Sequence, residues 1–259
     1  MKNALLLIRR SLVYRRDVFE SGLKAAGYTV RDSLDRPGHG DVLIIWNRYG
    51  INDSIAKRFE AAGAKVVVCE NGYLGKLPGE EKWFAMALNH HAGAGSWRIG
   101  GSDRWDGFGI QLEPFKQEGR EIVVLAQRGI GEEGIASPYC WAETVLRKLG
   151  NRLARIRPHP GTGEGIPLLK DLQHASAVIT WNSGAALRAL IAGIPVWYDF
   201  AKWIGAEAAA PLSELFKSRE PKRDEEARLR MFRRMAWAQW RLEEMQSGEA
   251  FNWLLAEAA

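Results

Sequence analysis

Two short segments in the second half of the chain combine basic and polar side chains with proline and glycine. One reads Arg-Pro-His-Pro at positions 157–160, and the other reads Trp-Asn-Ser-Gly at positions 181–184. Each follows an apolar run typical of a buried strand, and a helical pattern follows Ser183. The first N–H groups and the dipole of a helix attract anions. The pattern therefore predicts a phosphate site at Asn182, Ser183 and Gly184, with plain helix capping by Ser183 as the alternative.

His159 lies between two prolines, which restrict the backbone and hold the imidazole in one direction. We expect its ring to donate to a phosphate, although a histidine at a strand end can also be structural. Arg157 is the second candidate, because its guanidinium fork suits phosphate but equally forms salt bridges.

A glycine-containing turn, Gln-Arg-Gly-Ile-Gly, follows the apolar run at 121–126. Gly129 and Gly131 allow backbone N–H groups to approach a phosphate, and Arg128 adds positive charge. A tight connection without a ligand is the alternative explanation.

In the first half of the chain, Glu70 and Asn71 follow an apolar run at 65–69, so they emerge where α/β proteins bind ligands. We predict that Asn71, Tyr73, His90 and His91 lie on the acceptor side of a site, where they bind the substrate whose hydroxyl reacts. Removing a proton from an acceptor hydroxyl requires a carboxylate or a histidine. Glu70 is the first candidate for that base, with helix capping as its alternative role; the other candidates are His90, His91 and Asp103.

The segment Asn-His-His-Ala-Gly-Ala-Gly at 89–95 lacks the ligand spacing of a structural zinc site, and we predict no metal. Its glycines suggest a loop close to a ligand. Trp83, Trp97 and Trp105 lie nearby in sequence, where a tryptophan can stack on a sugar or pack in the core.

Bulk composition is that of a globular protein. The 259 residues are 46% hydrophobic and 26% charged, and 36 Lys and Arg against 31 Asp and Glu give a net charge of +5. This mild excess favours anionic ligands. The apolar run near the N-terminus is too short for a signal peptide, and no stretch approaches the roughly 20 residues of a membrane span, so we expect a cytoplasmic protein. The two cysteines predict reduced thiols.

Apolar runs alternate with helical patterns, which predicts an α/β protein with two Rossmann-like lobes. The predicted boundaries are a first lobe at 1–115, which contains the predicted acceptor-side residues, a second lobe at 116–220, which contains the predicted phosphate site, and closing helices at 221–259. Residues 74–115 show little periodicity and are predicted to be an irregular, functional segment.

The second half resembles the C-terminal lobe of GT-B glycosyltransferases, especially capsule-polysaccharide enzymes. The resemblance rests on the two segments at 157–160 and 178–184 and on a helix that ends Gly-Ile-Pro-Val at 193–196. It implies a metal-independent transferase without a cofactor, whose substrate is a nucleotide-sugar such as a UDP-sugar. It also implies that His159 contacts the donor diphosphate and that a C-terminal helix crosses back to the first lobe.

One position departs from the family pattern. The helix after the Asn-Ser segment often has a glutamate that binds the donor ribose, whereas this chain has Arg188. Either another acid such as Glu207 takes that role, or Arg188 contacts a phosphate and the donor differs.

The acceptor has several candidates. The segments at 71–73, 127–129 and 236–240 are similar to small glycosyltransferase-like proteins of bacteriophages, which implies hydroxymethylated pyrimidines in double-stranded DNA as the acceptor, in the host cytoplasm. A polysaccharide or a lipid-linked glycan is the alternative. Two other classes stay open: a sugar-nucleotide epimerase, and a non-catalytic nucleic-acid-binding protein that uses the arginine-rich segment at 228–241. We predict no obligate protein partner.

Overall fold

A computed structural model describes residues 2–75, 81–91, 93–161, 165–217 and 220–256. Contacts within the chain divide it into two compact units. Unit 1 comprises Met1–Gly100 together with Trp237–Ala259, and unit 2 comprises Gly101–Ala236. Each unit contains its own β-sheet.

Helices and strands alternate through most of the chain. The first part contains β1 (Lys2–Leu7), α1 (Arg16–Ala25), β2 (Tyr28–Arg31), β3 (Val42–Trp46), α2 (Ile51–Ala61), β4 (Lys65–Asn71) and β5 (Phe84–Leu88). Unit 2 contains α3 (Asp103–Asp106), β6 (Glu121–Leu125), α4 (Trp141–Leu149), β7 (Ala154–Arg157), α5 (Leu168–Asp171), β8 (Ala175–Thr180), α6 (Gly184–Ile191), β9 (Val196–Tyr198), a 3₁₀ turn (Ala206–Ala208), β10 (Ala210–Pro211), α7 (Leu212–Leu215) and α8 (Glu225–Ala236). The last elements are β11 (Gln239–Trp240), α9 (Leu242–Gln246) and α10 (Glu249–Leu255).

The sheet of unit 1 has the strand order β11-β5-β4-β3-β1-β2 among the described residues. Strands β1 to β4 are parallel, because a helix or loop crossover separates each from the next. Strands β5 and β11 run antiparallel to their neighbours β4 and β5, so the sheet of the first predicted Rossmann-like lobe is mixed at that edge.

One face of this sheet is covered by α1, α9 and α10. Phe19 and Leu23 of α1, Met245 of α9 and Phe251 of α10 are fully buried in a shared core. The C-terminal segment thus completes the core of unit 1 by burying apolar surface.

The sheet of unit 2 has the strand order β10-β9-β8-β6-β7, and all its described pairings are parallel. Central strands β6 and β8 are continuous apolar runs because helices cover both faces of a parallel sheet. The predicted α/β class is confirmed.

The segment predicted to be irregular contains more structure than its sequence suggested. It contains β5 and α3, and Trp83 and Trp105 are 1% and 3% exposed, so both pack in cores. The division at Gly100 also differs from the boundary predicted at 115. In unit 2, Phe115 donates its N–H to Glu225 and lies under the guanidinium of Arg228, so residues 101–115 pack there.

Candidate functional site

The centre of the unit 2 sheet is a topological switch point. From β6 the chain crosses to β7 on one side, and β8 lies on the other side of β6. Loops that leave neighbouring parallel strands in opposite directions open a crevice at their carboxyl ends, where α/β proteins bind ligands. The predicted donor segments at 127–131, 158–160 and 181–184 follow β6, β7 and β8 respectively, so the structure brings them to this one edge.

Two of these loops are joined by a pair of reciprocal hydrogen bonds. The Gln127 side chain donates from Nε2 to Oδ1 of Asn182 at 2.5 Å, and its Oε1 accepts the backbone N–H of Asn182 at 2.9 Å. Asn182 Nδ2 also donates to the carbonyl of Ile135 at 3.2 Å. Side-chain amides therefore fix the loops after β6 and β8 relative to each other at the crevice.

Helix α6 begins at this crevice. Ser183 is its N-cap, and the Ser183 hydroxyl accepts the N–H of Ala185 at 3.2 Å, as helix capping predicts. Thr180 Oγ1 accepts the Ser183 N–H at 2.8 Å. No acceptor among the described residues bonds the N–H of Gly184, so this first N–H of the helix is available to an anion.

His159 is exposed at the end of β7, and its Nδ1 accepts the N–H of Gly161 at 2.9 Å. The neutral ring therefore has its proton on Nε2, which is then a hydrogen-bond donor. Partial burial of the ring, followed by the positive charge of Arg128, lowers the pKa of His159. The positive charge of Arg128 therefore acts on the His159 ring.

The turn after β6 requires its glycines. Gly129 and Gly131 have φ angles of +64° and +135°, and a residue with a side chain would be strained at either angle. The loop then turns back, and the Ile135 carbonyl accepts the indole N–H of Trp181 at 2.8 Å.

Arg157 is engaged within unit 2. Its guanidinium pairs with Asp171 at 2.5 Å and donates to the Ile166 carbonyl at 2.7 Å, and only 13% of its side chain is exposed. Asp171 also pairs with Arg155. The salt-bridge alternative is thus what the structure shows, and a phosphate contact by Arg157 would require this network to rearrange.

Arg188 is exposed on α6. Glu207, the acid considered as a substitute for the missing carboxylate, accepts a bond from Arg230 at 3.1 Å. The arginines of α8 are similarly engaged, since Arg228 is 1% exposed and Arg233 pairs with Asp106 at 3.8 Å. This part of the segment at 228–241 is therefore largely structural.

In unit 1, Glu70 and Asn71 are the last residues of β4, at the carboxyl edge of the sheet. Tyr73 is 9% exposed. Burial raises the pKa of Tyr73 well above its ordinary value, and the negative charge of Glu70, to which its hydroxyl donates, raises it further. The structure therefore brings Glu70 and Tyr73 together.

His90 and His91 lie elsewhere in unit 1. The N–H of Asn89 donates to the carbonyl of Val66, at the start of β4, whereas Glu70 is near its end. Four residues of strand, about 13 Å, separate these positions along β4. The structure thus does not bring the two histidines to Glu70. Their rings stack at 5.0 Å, and His91 is 6% exposed.

Asp103, the remaining candidate base, begins α3 in unit 2 and so lies outside the unit that contains Glu70. Trp97 is partly buried against the core of unit 1. Within the described ranges, no group of three or more His, Cys, Asp or Glu residues could hold a metal ion.

Solved structures provide the comparison with known proteins. Two chains of Thermosulfurimonas dismutans KpsC are similar to this one. Its beta Kdo 2,7 transferase matches with a TM-score of 0.60 and 13% identity, over 97% of this chain and 99% of that chain. Its beta Kdo 2,4 transferase matches with a TM-score of 0.57 and 12% identity, over 92% of this chain and 91% of that chain.

The chain has the fold of these transferases. At such low identity the likeness shows the fold alone. No protein-family model and no curated protein sequence matches the chain. None of the described helices combines the length and apolarity needed to cross a membrane.

Thr180 is a site residue that the sequence analysis missed. Its hydroxyl, at the end of β8, fixes the backbone of Ser183. The signal was present, because a threonine three residues before a backbone N–H at a strand-to-helix turn commonly accepts from it. Gln127 was included only as part of the glycine turn, and its bond to Asn182 joins positions 55 residues apart, which local patterns do not reveal.

Proposed function

We propose that this chain is a GT-B-type glycosyltransferase that moves a sugar from a nucleotide-sugar donor to an acceptor hydroxyl. The observation that best supports this proposal is the Gln127–Asn182 connection across the switch point of unit 2, with the free Gly184 N–H and the Nε2–H of His159 at the same edge. These groups are hydrogen-bond donors, and the edge is where α/β proteins bind phosphorylated ligands.

In this proposal the donor diphosphate or phosphate binds at that edge. Negative charge builds on the leaving phosphate as the glycosidic bond breaks, and fixed donors stabilise it without reorganising. Gly184 and His159 donate to it, Arg128 supplies positive charge, and no metal is required. Arg188 extends the positive charge along α6, and the ribose is held by another group than the family's glutamate.

The acceptor side is assigned to unit 1, with Glu70 as the base. Glu70 would take the proton of the acceptor hydroxyl, and the Tyr73 hydroxyl would hold the carboxylate in position. Asn71 would orient the acceptor. The KpsC chains act on Kdo according to their names, so we propose a sugar of a polysaccharide or glycolipid as the acceptor, and include an activated Kdo among the donors.

The donor test is thermal stabilisation with a panel of UDP-, GDP- and CMP-sugars, including CMP-Kdo, followed by donor hydrolysis. At least one donor should stabilise the protein. His159→Ala should lower turnover about 100-fold with an unchanged melting temperature without ligand. The matched control is His174→Ala, an exposed histidine before β8, at the opposite end of that strand from Asn182.

Products distinguish the alternatives. Transfer to a glycan supports the proposal, transfer to hydroxymethylated DNA would restore the phage-type acceptor, and an epimerised donor would indicate an epimerase. Binding of DNA without response to any donor would reject the transferase. Glu70→Gln should abolish transfer while donor binding persists; retained transfer would remove Glu70 from the mechanism.

A further inference from the structure

A stack of three side chains lies in unit 1. The indoles of Trp237 and Trp253 stack with ring centroids 4.3 Å apart, and the guanidinium of Arg98 lies 4.4 Å above the Trp253 ring. The Trp253 indole N–H donates to the Arg98 carbonyl at 3.0 Å, which fixes the ring against the same residue.

The stack has close backbone packing at its other end. A Cβ at Gly100 would lie 2.4 Å from the Trp237 ring, so only glycine lets the chain pass so near. Since Trp237 faces Gly100 and Trp253, the indoles have little freedom. The guanidinium at the exposed end is therefore presented on a rigid base.

Arg98 is exposed, and no acceptor among the described residues bonds its side-chain N–H groups. Arg98 lines a surface depression of about 460 Å³, within the usual range of ligand sites. The other lining residues offer hydroxyl, carboxylate, amide and indole groups: Ser247, Glu249, Asn252 and Trp253.

We infer that this depression binds a carboxylate-bearing sugar of a glycan chain. The Arg98 guanidinium, 4.4 Å from the Trp253 ring, presents a planar fork of N–H groups that can bind a carboxylate in bidentate geometry. Asn252 can both donate to and accept from sugar hydroxyls. The Ser247 hydroxyl, which donates to the Glu244 carbonyl at 3.2 Å, and the Glu249 carboxylate can accept from them. A small carboxylate without hydroxyls would leave these three groups unused.

The inference rests on the proposed function for the origin of its ligand, which would be the acceptor glycan. The depression lies away from the carboxyl edge of the sheet. Trp237 comes just before β11, beside the end of β5 at Leu88. Because β5 is antiparallel to β4, this end of β5 pairs with the start of β4. The depression would bind a sugar unit of the acceptor glycan other than the unit that reacts. Such a second contact raises the effective concentration of the reacting end.

The test is titration of the whole protein with free sugars, observed at the Trp253 indole N–H resonance, which is assigned with Trp253→Phe. Galacturonate, N-acetylneuraminate and Kdo are the acidic probes. Galactose, which lacks only the carboxylate of galacturonate, and acetate, which lacks the hydroxyls, are the controls. At least one acidic sugar should shift the resonance with an affinity tenfold or more above both controls.

Arg98→Ala should weaken that binding at least tenfold, Arg98→Lys should restore part of it, and Arg36→Ala, another exposed arginine, should leave it unchanged. Equal shifts with galactose or acetate, no shift with any acidic sugar, or full binding by Arg98→Ala would each overturn the inference. Nucleotide-sugar stabilisation, measured on the same samples, should be unchanged in Arg98→Ala, so failure of this site and failure of the donor site are distinguishable.

Discussion

Gln127 and Asn182, 55 residues apart, exchange two hydrogen bonds across the carboxyl ends of β6 and β8. This exchange makes the shape of the proposed donor site depend on one side-chain amide. It also links the glycine turn to the start of α6, so a change at Gln127 should affect both stability and ligand binding.

We expect Gln127→Ala to lower the free energy of unfolding by about 2 kcal/mol, because each partly buried hydrogen bond contributes about 1 kcal/mol. Stabilisation by the donor nucleotide should be lost. Urea denaturation and ligand-induced melting shifts measure the two effects. The exposed Gln173→Ala is the control, and full nucleotide stabilisation of Gln127→Ala would show that the amide exchange is not needed for the site.

Gly131 gives a second test of the same turn. Its φ of +135° is almost restricted to glycine, so Gly131→Ala should cost about 2 kcal/mol and weaken nucleotide binding. Gly27→Ala is the matched control, since Gly27 has φ +84° with no atom near an added Cβ. It should cost about 1 kcal/mol and leave binding unchanged. Equal loss of binding in both variants would indicate a general folding effect.

Arg228 and Arg230 occupy the same helix in different surroundings. Arg228 is 1% exposed, donates to the Leu190 carbonyl at 2.9 Å and pairs with Glu225. Arg228→Met should destabilise the protein by about 2 kcal/mol, because it removes a buried hydrogen bond from a charged donor to the Leu190 carbonyl. Arg230→Ala should lower the free energy of unfolding by less than about 1 kcal/mol, because the ion pair of Arg230 with Glu207 is open to solvent. Chemical denaturation of both variants compares them, and similar losses would contradict the structural role of Arg228.

His91 makes stability depend on pH. Burial, followed by the charge of His90, lowers the pKa of His91 from 6.5 to about 4. Above pH 6.5 the His91 imidazole is neutral in both the folded and the unfolded chain. Below pH 6.5 the imidazole binds a proton in the unfolded chain but stays neutral in the folded protein. The free energy of unfolding therefore falls as the pH is lowered to about 4, by up to about 3 kcal/mol.

Unfolding free energies at pH 7 and pH 5 measure this loss. The variant His91→Phe keeps a ring beside His90 and should lose much of the pH dependence, whereas the exposed His39→Phe should retain it. A pH dependence in His91→Phe equal to that of the unsubstituted chain would show that other groups are responsible.

Most elements were predictable because apolar periodicity is local. The apolar run at 65–69 predicted β4, and the apolar run at 121–126 predicted β6. Strand β11 was missed because its two residues fall within an apolar stripe of helical spacing, and only pairing with β5 makes them a strand. The turn residues of the proposed donor site were predicted from similarly local patterns.

The partners of Arg157 and the position of the two histidines were not predictable from local patterns. Arg157 pairs with Asp171, 14 residues away, and sequence could not choose that pairing over a phosphate. His90 and His91 were grouped with Glu70 because they lie in one segment, but the antiparallel direction of β5 moves them toward the other end of β4. Direction of pairing depends on tertiary contacts rather than on residue type.

The division of the chain has a consequence for its synthesis. The core of unit 1 includes Trp240, Met245 and Phe251, which follow the whole of unit 2 in sequence. On the ribosome, unit 2 can fold once its own residues have emerged, whereas the first hundred residues must wait with an incomplete core. During that interval their apolar surface is exposed, so nascent chains stalled before residue 237 should be the ones that chaperones bind and proteases cleave.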